Sequence, residues 1–309
     1  MTLQKQSVGL VGANGFIGFA ILKALLDQGV VPRALCGPIG NRESFPAGVQ
    51  FVVCDLGDTE RLQAWISGLD LVIHAAGPPS VQRSFEMPKE YVRVHVEGTA
   101  AVLHACRIAK VERLVYVSSA EVYGRPDINP VTEKQRLQAR SPYAAAKIGA
   151  EKMIEAHVES YGLTATILRP FSIYGQNFHA DSLLSRIVST AKKGCVRLRD
   201  LRPIRDYCYV ADLAAAVLQA AGLNGRCLRV INIGSGVGTS VLDFAELVLQ
   251  ELCMRVAVIE DRVDPRPGHS EILELIADIT SAREILGWRP ETSLQEGLRR
   301  TLSGNVGKS

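Results

Sequence analysis

Residues 7–18 read Ser-Val-Gly-Leu-Val-Gly-Ala-Asn-Gly-Phe-Ile-Gly. The apolar run over residues 7–11 predicts a short buried strand, and the stretch that follows, to about Gln28, predicts a helix. Between them, Gly12, Gly15 and Gly18 allow a tight turn in which the backbone can approach a ligand. A helix that begins directly after such a turn offers free amides and a partial positive charge, which suit a pyrophosphate. A plain tight turn fits the same residues, so this pattern alone leaves both interpretations open.

The alternation of strand and helix continues from this turn through the first half of the chain. Further strands are predicted near residues 31–36, 51–54, 71–73, 113–117 and 164–168. Helices are predicted near residues 58–67, 86–110 and 141–160, the second of these as one long helix or two. Such alternation is typical of an α/β fold with a doubly wound parallel sheet.

Several polar or glycine residues stand where these predicted strands end. They are Gly12, Asp55, His74, Ser119 and Arg169. Because ligands of doubly wound sheets bind at the carboxyl ends of the strands, this recurrence favours a ligand site at that edge. For Asp55 a helix cap or turn role is equally reasonable, and a lone histidine such as His74 is usually structural.

The second half of the chain is less regular than the first in its predicted strands and helices. Four arginines gather in a stretch that predicts a loop, either solvated or anion-binding: Arg197, Arg199, Arg202 and Arg205.

Composition excludes several classes of function. The chain has 309 residues and a formal net charge of +3, and no basic run argues for nucleic acid. No apolar run approaches the ~18 residues of a membrane span, and the N-terminus has no signal-peptide layout, so we expect a cytoplasmic protein with no membrane partner. Seven scattered cysteines predict reduced thiols, with no disulfide framework and no metal site.

Residues 141–147 read Ser-Pro-Tyr-Ala-Ala-Ala-Lys. Ser141 can cap a helix whose first position suits Pro142. Tyr143 and Lys147 then share one helix face, where the ammonium and the positive helix end would lower the pKa of the phenol. A proton donor and acceptor near neutral pH is one interpretation, and an ordinary amphipathic helix is the other.

Motifs spread along nearly the whole chain carry a family resemblance. They are Gly12-x-x-Gly15-x-x-Gly18, Asp55-Leu56, His74-Ala75-Ala76, Val96-x-Gly98-Thr99, Ser118-Ser119-x-x-Val122-Tyr123-Gly124, Tyr143-x-x-x-Lys147, Leu168-Arg169-Pro170-Phe171, Arg205-Asp206-Tyr207, Asn232-Ile233-Gly234 and Arg266-Pro267-Gly268. With them the chain resembles the extended short-chain dehydrogenase/reductases, in the branch of NAD-dependent nucleotide-sugar epimerases and dehydratases. The resemblance implies a homodimer and a Rossmann-like fold, with a mainly dinucleotide-binding domain at residues 1–175 and a smaller, mainly substrate-binding α/β part at residues 176–309. A segment near residues 206–235 would return to the first domain.

The resemblance also implies roles for individual residues. Ser119 would bond the reacting sugar oxygen, Tyr143 would be its acid and base, and Lys147 would bind the nicotinamide ribose, with Glu121 as a further catalytic candidate. Arg205 and Arg266 would join Ser119 in binding the substrate, a nucleotide-linked sugar, and match places where such enzymes grip the nucleotide diphosphate. The implied cofactor contacts are Gly12, Asn14, Gly15, Phe16, Ile17, Gly18, Cys36, Asp55, Leu56, Ala75, Ala76, Gly77, Tyr143, Lys147 and Pro170.

Three residues depart from the family pattern. Cys36 stands where an acid usually binds the adenosine ribose, so NAD is expected but NADP is not excluded. His95 and Ser172 each replace a common asparagine.

The resemblance leaves several reactions open. The first is epimerisation of a nucleotide-linked sugar through a keto intermediate. Alternatives are an NADPH-dependent ketoreductase, a UDP-glucuronate-type decarboxylase, and a dinucleotide-binding sensor or scaffold without turnover. Ala120 occupies the place where related 4,6-dehydratases carry a proton-donating aspartate, which argues against dehydration. The complete set of Ser119, Tyr143 and Lys147 favours an enzyme.

Overall fold

The computed structural model describes residues 3–39, 45–46, 48–225, 227–261, 267 and 270–303. Within these ranges the strands are β1 Val8–Val11, β2 Arg33–Cys36, β3 Phe51–Val53, β4 Leu71–His74, β5 Arg113–Val117, β6 Thr164–Pro170, β7 Ser172–Tyr174, β8 Cys195–Leu198, β9 Ile204–Tyr209, β10 Leu228–Ile233, β11 Gly238–Ser240, β12 Ala257–Glu260 and β13 Glu274–Leu275. The α-helices are α1 Phe16–Asp27, α2 Thr59–Ile66, α3 Val81–Glu86, α4 Pro88–Tyr91, α5 Gly98–Ala109, α6 Pro142–Tyr161, α7 Leu183–Ala191, α8 Val210–Ala221, α9 Val241–Glu251, α10 Thr280–Leu286 and α11 Leu294–Ser303.

A parallel sheet of seven strands forms the centre of the first half. Its order is β10-β6-β5-β4-β1-β2-β3, and each neighbouring pair is parallel. Helices α1 and α8 cover one face, and α2, α5 and α6 cover the other. The doubly wound parallel sheet predicted from the alternation of strand and helix, and the Rossmann-like fold implied by the resemblance, are therefore confirmed.

Local signals fix the start and end of the helix that carries Tyr143. The Ser141 hydroxyl accepts a hydrogen bond of 3.1 Å from the amide of Ala144, and Pro142 takes the first helical position. The helix ends at Gly162, whose φ of +70° suits glycine. The cap therefore sets the register that places Tyr143 and Lys147 on one face.

The stretch from Glu86 to Lys110 differs from the prediction of one long helix or two. It contains α4, a π-helical turn over Val92–Glu97 and α5, and it follows the separate helix α3. Pro88 lacks an amide hydrogen and clashes with a preceding helical turn, so it starts a new helix instead of continuing α3. A π-helical turn inside a helix is uncommon and often lies at a functional site.

The second half is built around β9. This strand pairs with β7 and β13 in parallel and with β11 antiparallel, while β8 pairs with β12. Helices α7, α9 and α11 pack together over a separate apolar cluster that includes Ile187, Phe244 and Leu298. The strand β10 and the helix α8 belong instead to the large sheet and its covering layer.

The prediction of a single loop with four arginines is wrong. Arg197 lies on β8, where buried residues alternate with less buried ones, and Arg205 lies on β9, whose last four residues are all buried. Arg202 pairs with Asp200 at 2.7 Å on the surface. Across the described ranges, we find no helix with the length and apolar character needed to cross a bilayer.

Candidate active site

The glycine turn packs directly against the end of β4. Gly12 adopts a φ of +86°, and a Cβ there would lie 2.7 Å from the backbone nitrogen of Ala76. A Cβ at Gly18 would collide with the carbonyl oxygen of Gly12, so the turn and α1 close up only with glycine at both places. Gly15 caps α1 and is exposed. The start of α1 is thus held at the sheet edge in an arrangement that suits phosphate.

Other predicted cofactor residues surround this turn. Phe16 and Ile17 form the first turn of α1, and both are half-buried. The amide of Ala75 donates to the carbonyl of Val11 at 2.9 Å, which fixes the chain after β4. Pro170 is buried at the end of β6. These positions meet along one edge of the sheet, as the strand-end pattern predicted.

Asn14 fastens the loop that follows β2. Its side chain donates to the carbonyls of Gly37 and Ile39 at 3.3 and 3.0 Å and accepts from the Gly37 amide at 3.0 Å. Cys36, just before this loop, is fully buried in the core cluster. Asn14 therefore shapes the region where an adenosine ribose is expected, through the backbone of the loop.

Asp55 forms a surface ion pair that the sequence did not indicate. Both carboxylate oxygens accept from Nη1 of Arg93, at 2.9 and 3.1 Å, and one also accepts from the Gly57 amide at 2.8 Å. The Gly57 and Arg93 hydrogen bonds lower the pKa of Asp55. Leu56, next in the chain, is buried against Gly98. Arg93 was not recognised as a partner of Asp55, because 38 residues separate the two and only the fold joins them.

His74 is a structural histidine. It is fully buried, its Nδ1 accepts from the Ala76 amide at 3.3 Å, and its Nε2 lies 3.2 Å from the Thr99 hydroxyl. Burial, with a smaller contribution from the charge of Lys147, lowers its pKa to about 3. A neutral, fully bonded ring supports the turn after β4.

Ser119 and Tyr143 come together at the end of β5. Ser119 begins a short 3₁₀ turn and accepts from the Glu121 amide at 3.2 Å. Tyr143 is 7% exposed, and burial raises the pKa of its phenol, while a hydrogen bond with the Ser119 hydroxyl lowers it and the charge of Glu121 raises it. Glu121 is half-buried within electrostatic reach of the phenol.

Lys147 is bound to the end of β5 through its ammonium group. Its ammonium donates to the Val117 carbonyl at 2.8 Å and to the Tyr116 hydroxyl at 3.3 Å. Burial lowers the pKa of Lys147 to about 7, and the charge of Glu151 acts in the opposite direction. The prediction that the pKa of the Tyr143 phenol is lowered is wrong. Burial is the largest effect on the phenol, and it raises the pKa.

A buried polar cluster lies behind these residues. Glu151 accepts from Arg169 at 3.1 and 2.7 Å and from the Ser118 hydroxyl at 2.5 Å. Arg169 also donates to the Tyr123 hydroxyl at 2.9 Å and is 5% exposed. Arg169 therefore supports the strand ends from inside the protein instead of facing a ligand. Glu151 was missed, although it lies four residues after Lys147 on the same helix face.

His95 contacts Tyr143 from the π-helical turn. The two ring centroids are 5.5 Å apart at 82°, and His95 Nε2 lies 3.1 Å from the Pro78 carbonyl. Burial and the charge of Lys147 lower the pKa of His95. Gly77 has a φ of +134°, and a Cβ there would collide with the His95 ring. His95 thus holds the backbone after β4 close to the Tyr143 ring.

A cavity of about 370 Å³ opens beside this group. Its wall includes Phe16 from the glycine turn, Ser172 from β7, and Arg205 from β9. Val81 lines the cavity and also packs against the apolar cluster of Tyr91, Tyr143 and Ala146, so one side chain connects the cavity wall to that cluster. Arg266 lies outside the described residues. Within the described ranges, no group of three His, Cys, Asp or Glu side chains is placed to hold a metal ion.

Comparison with known families agrees with this geometry. Residues 8–234 match the model of the NAD-dependent epimerase/dehydratase family. The chain belongs to this family. The extended short-chain dehydrogenase/reductase resemblance is thereby confirmed.

Individual relatives in the family match almost the whole chain. A low-salt glycan biosynthesis protein of Haloferax volcanii is 30% identical over 308 residues, covering 96% of this chain and 98% of the relative. A UDP-glucose 4-epimerase of Azospirillum brasilense is 31% identical over 325 residues, covering 97% and 92%. The crystal structure of Thermus thermophilus UDP-glucose 4-epimerase in complex with NAD has a TM-score of 0.88 at 29% identity, covering 98% of this chain and all of the other.

The structure shows where the three departures from the family pattern lie. Cys36 is buried before the loop that Asn14 fastens, His95 packs on Tyr143, and Ser172 lines the cavity. Two further cavity residues, Arg199 and Glu271, were not singled out as a pair, because 72 residues separate them and only the fold joins them.

Proposed function

We propose that the protein is an NAD-dependent epimerase that acts on a nucleotide-linked sugar. The observation that carries the proposal is the convergence of Ser119, Tyr143 and Lys147 at the end of β5, beside the glycine turn and the cavity. Family membership and the relatives named as UDP-glucose 4-epimerases support it.

The residues at the sheet edge fit NAD. The closure of Gly12 and Gly18 leaves no room for side chains, and the exposed Gly15 leaves the first amides of α1 accessible for a pyrophosphate. Asn14, Cys36, Asp55 and Leu56 would surround the adenosine half, and Ala75, Ala76, Gly77 and Pro170 would lie along the cofactor. Lys147 would hold the nicotinamide ribose. When bound, NAD supplies hydride acceptance and return, and its oxidised form adds a positive charge to the site.

Tyr143 is the proposed acid and base. Its phenol oxygen takes the proton of a sugar hydroxyl as that carbon becomes a ketone, and returns the proton when the ketone is reduced on its other face. A protonated phenol is favoured by burial, so a positive charge beside the ring is needed to favour the phenolate. The Ser119 hydroxyl, already bonded to the phenol, orients the sugar oxygen between them.

The cavity would receive the nucleotide. Arg205 is placed on its wall, and a guanidinium recognises phosphate oxygens well. Arg266 is proposed as a second contact on family grounds. The sugar would then extend past Val81 towards Tyr143. Ser172, smaller than asparagine, leaves more room at this passage.

A decarboxylase is the second candidate, because the half-buried Glu121 lies within electrostatic reach of Tyr143. We therefore propose one panel experiment. The holoenzyme is incubated with UDP- and dTDP-sugars, including UDP-glucuronate, and products are followed by mass spectrometry and NMR. A new isomer of unchanged mass supports the epimerase. Loss of carbon dioxide supports the decarboxylase, and loss of water or a gain of two hydrogens rejects both.

We also propose a division of labour between the two halves and a homodimeric, cytoplasmic protein. Residues 1–175 with the segment near 206–235 would bind the dinucleotide, and the rest of residues 176–309 would bind the sugar nucleotide. The presence of β10 in the large sheet supports this assignment. Light scattering coupled to gel filtration tests the dimer.

A further inference from the structure

Glu271 joins two arginines on the cavity wall. Its Oε2 lies 3.1 Å from Nη1 of Arg199, and its Oε1 lies 3.4 Å from Nη2 of Arg205. All three side chains are 15–20% exposed and line the same cavity. One carboxylate thus holds two guanidinium groups that would otherwise repel each other. The three groups together keep a charge of +1 facing the cavity.

Tyr207 lines the same cavity. The side chain is 8% exposed, and among the described residues its buried hydroxyl has no hydrogen-bond partner. Its ring is fixed by stacking on Phe244, with centroids 4.0 Å apart at 14°. A buried polar group without a partner is destabilising, so a fixed hydroxyl of this kind indicates a ligand atom.

We propose that Glu271 is an internal carboxylate, which the diphosphate of the nucleotide-linked substrate displaces from Arg199 and Arg205, and that Arg199 and Tyr207 add contacts to that diphosphate. This inference rests on the proposed function. Carboxylate and phosphate oxygens bind a guanidinium in the same bidentate way, so they compete for the same N–H groups. A diphosphate wins because it carries two charges and more acceptor oxygens, and it also meets the Tyr207 hydroxyl.

The displacement has two consequences. Glu271 keeps the guanidinium groups in place before the substrate arrives, which lowers the ordering cost of binding. Glu271 also competes with every anion for the two guanidinium groups. A ligand with a single charge competes less well than a diphosphate, so it is excluded more strongly. Removing the carboxylate should therefore tighten diphosphate binding, which is opposite to the usual result of removing a cavity residue.

Calorimetric titration of UDP into the NAD-loaded enzyme tests the proposal. Glu271→Gln should bind UDP about tenfold tighter than wild type, and Arg199→Gln about tenfold weaker or more. Two surface variants serve as controls that should bind UDP as wild type does: Glu274→Gln on the neighbouring strand and Arg202→Gln, whose side chain is 65% exposed. Inorganic phosphate should gain relatively more affinity from Glu271→Gln than UDP does.

Thermal unfolding with and without UDP gives a second measurement. Glu271→Gln should unfold at a lower temperature without UDP, and UDP should raise that temperature by more than it does in wild type. Unchanged or weaker UDP binding by Glu271→Gln, with wild type binding normally, overturns the inference and leaves the proposed function intact. Unaltered UDP binding by Arg199→Gln also overturns the inference. If Glu271→Gln does not fold, the Arg199→Gln titration alone decides. Absence of UDP and dTDP binding by wild type overturns the proposed function itself.

Discussion

The ammonium of Lys147 donates a hydrogen bond of 2.8 Å to the backbone carbonyl of Val117. This contact joins α6 to the end of β5, where Ser119 follows two residues later. The lysine is therefore fixed at the strand end by its hydrogen bonds to β5, while burial and the neighbouring Ser119 and Glu121 set the pKa of Tyr143.

Replacement of Tyr143 by phenylalanine should lower turnover on the true substrate by about 10²–10⁴, which is the usual contribution of a positioned acid or base. Fold and NAD binding should remain, because the ring still packs against His95. Tyr161→Phe, at the 60% exposed end of the same helix, is the matched control and should keep full turnover. Near wild-type turnover by Tyr143→Phe would show that another group moves the proton.

The buried Lys147 should make stability rise with pH. Its pKa is about 7 in the folded protein against an ordinary value of 10.5. Between these values the unfolded chain binds a proton that the folded protein does not. The stability penalty of burying this amine is absent above about pH 10.5. It grows as pH falls towards 7, by up to about 1.4 kcal/mol per pH unit.

Urea unfolding of NAD-free protein from pH 7 to 9 measures this effect. The free energy of unfolding of wild type should rise relative to that of Lys147→Met over this range. Lys152→Met, an exposed lysine of the same helix, should leave the pH dependence unchanged. Parallel curves for wild type and Lys147→Met would contradict the assigned pKa.

Glu151→Gln should destabilise the fold by about 3–5 kcal/mol, because it leaves the guanidinium of Arg169 buried without its anion. Glu155→Gln removes an exposed pair with Lys152 on the same helix and should cost less than about 1 kcal/mol. Denaturant unfolding gives both values. A cost for Glu151→Gln no larger than that of the control would mean that Arg169 finds another partner.

Discrimination between NAD and NADP should be weak. Cys36 places no carboxylate against a 2′-phosphate, and the nearby Arg33 donates to the carbonyls of Trp65 and Ser67. We expect dissociation constants within about tenfold of each other, or about 1.4 kcal/mol. Cys36→Asp should shift the ratio towards NAD, with Cys36→Ser as the control for loss of a buried thiol. A ratio that Cys36→Asp leaves unchanged would place Cys36 away from the ribose.

Much of the architecture follows from local patterns in the sequence. Strand and helix periods, the three glycines after β1, and the cap at Ser141 act over a few residues, so they can be recognised along the chain. The same is true of the four-residue spacing of Tyr143 and Lys147. Strand ends could also be located, and with them the edge of the sheet where the site residues meet.

Tertiary structure decided the electrostatics of the site. Whether Tyr143 is buried, and which atoms Lys147 meets, depends on how α6 lies on β5. Arg169 stands at a strand end like the ligand-facing residues, yet it faces inward, because Glu151 is on the helix behind it.

The carboxylate shared by Arg199 and Arg205 depends on residues that lie 72 and 66 positions apart in the chain. Local patterns hold no information about such pairs, since their distances arise from the packing of whole elements. Sequence alone therefore determined the fold class and the reacting residues Ser119 and Tyr143 as candidates. The pKa directions and the counter-charges in the cavity were decided by burial and long-range contacts, which exist only in the folded chain.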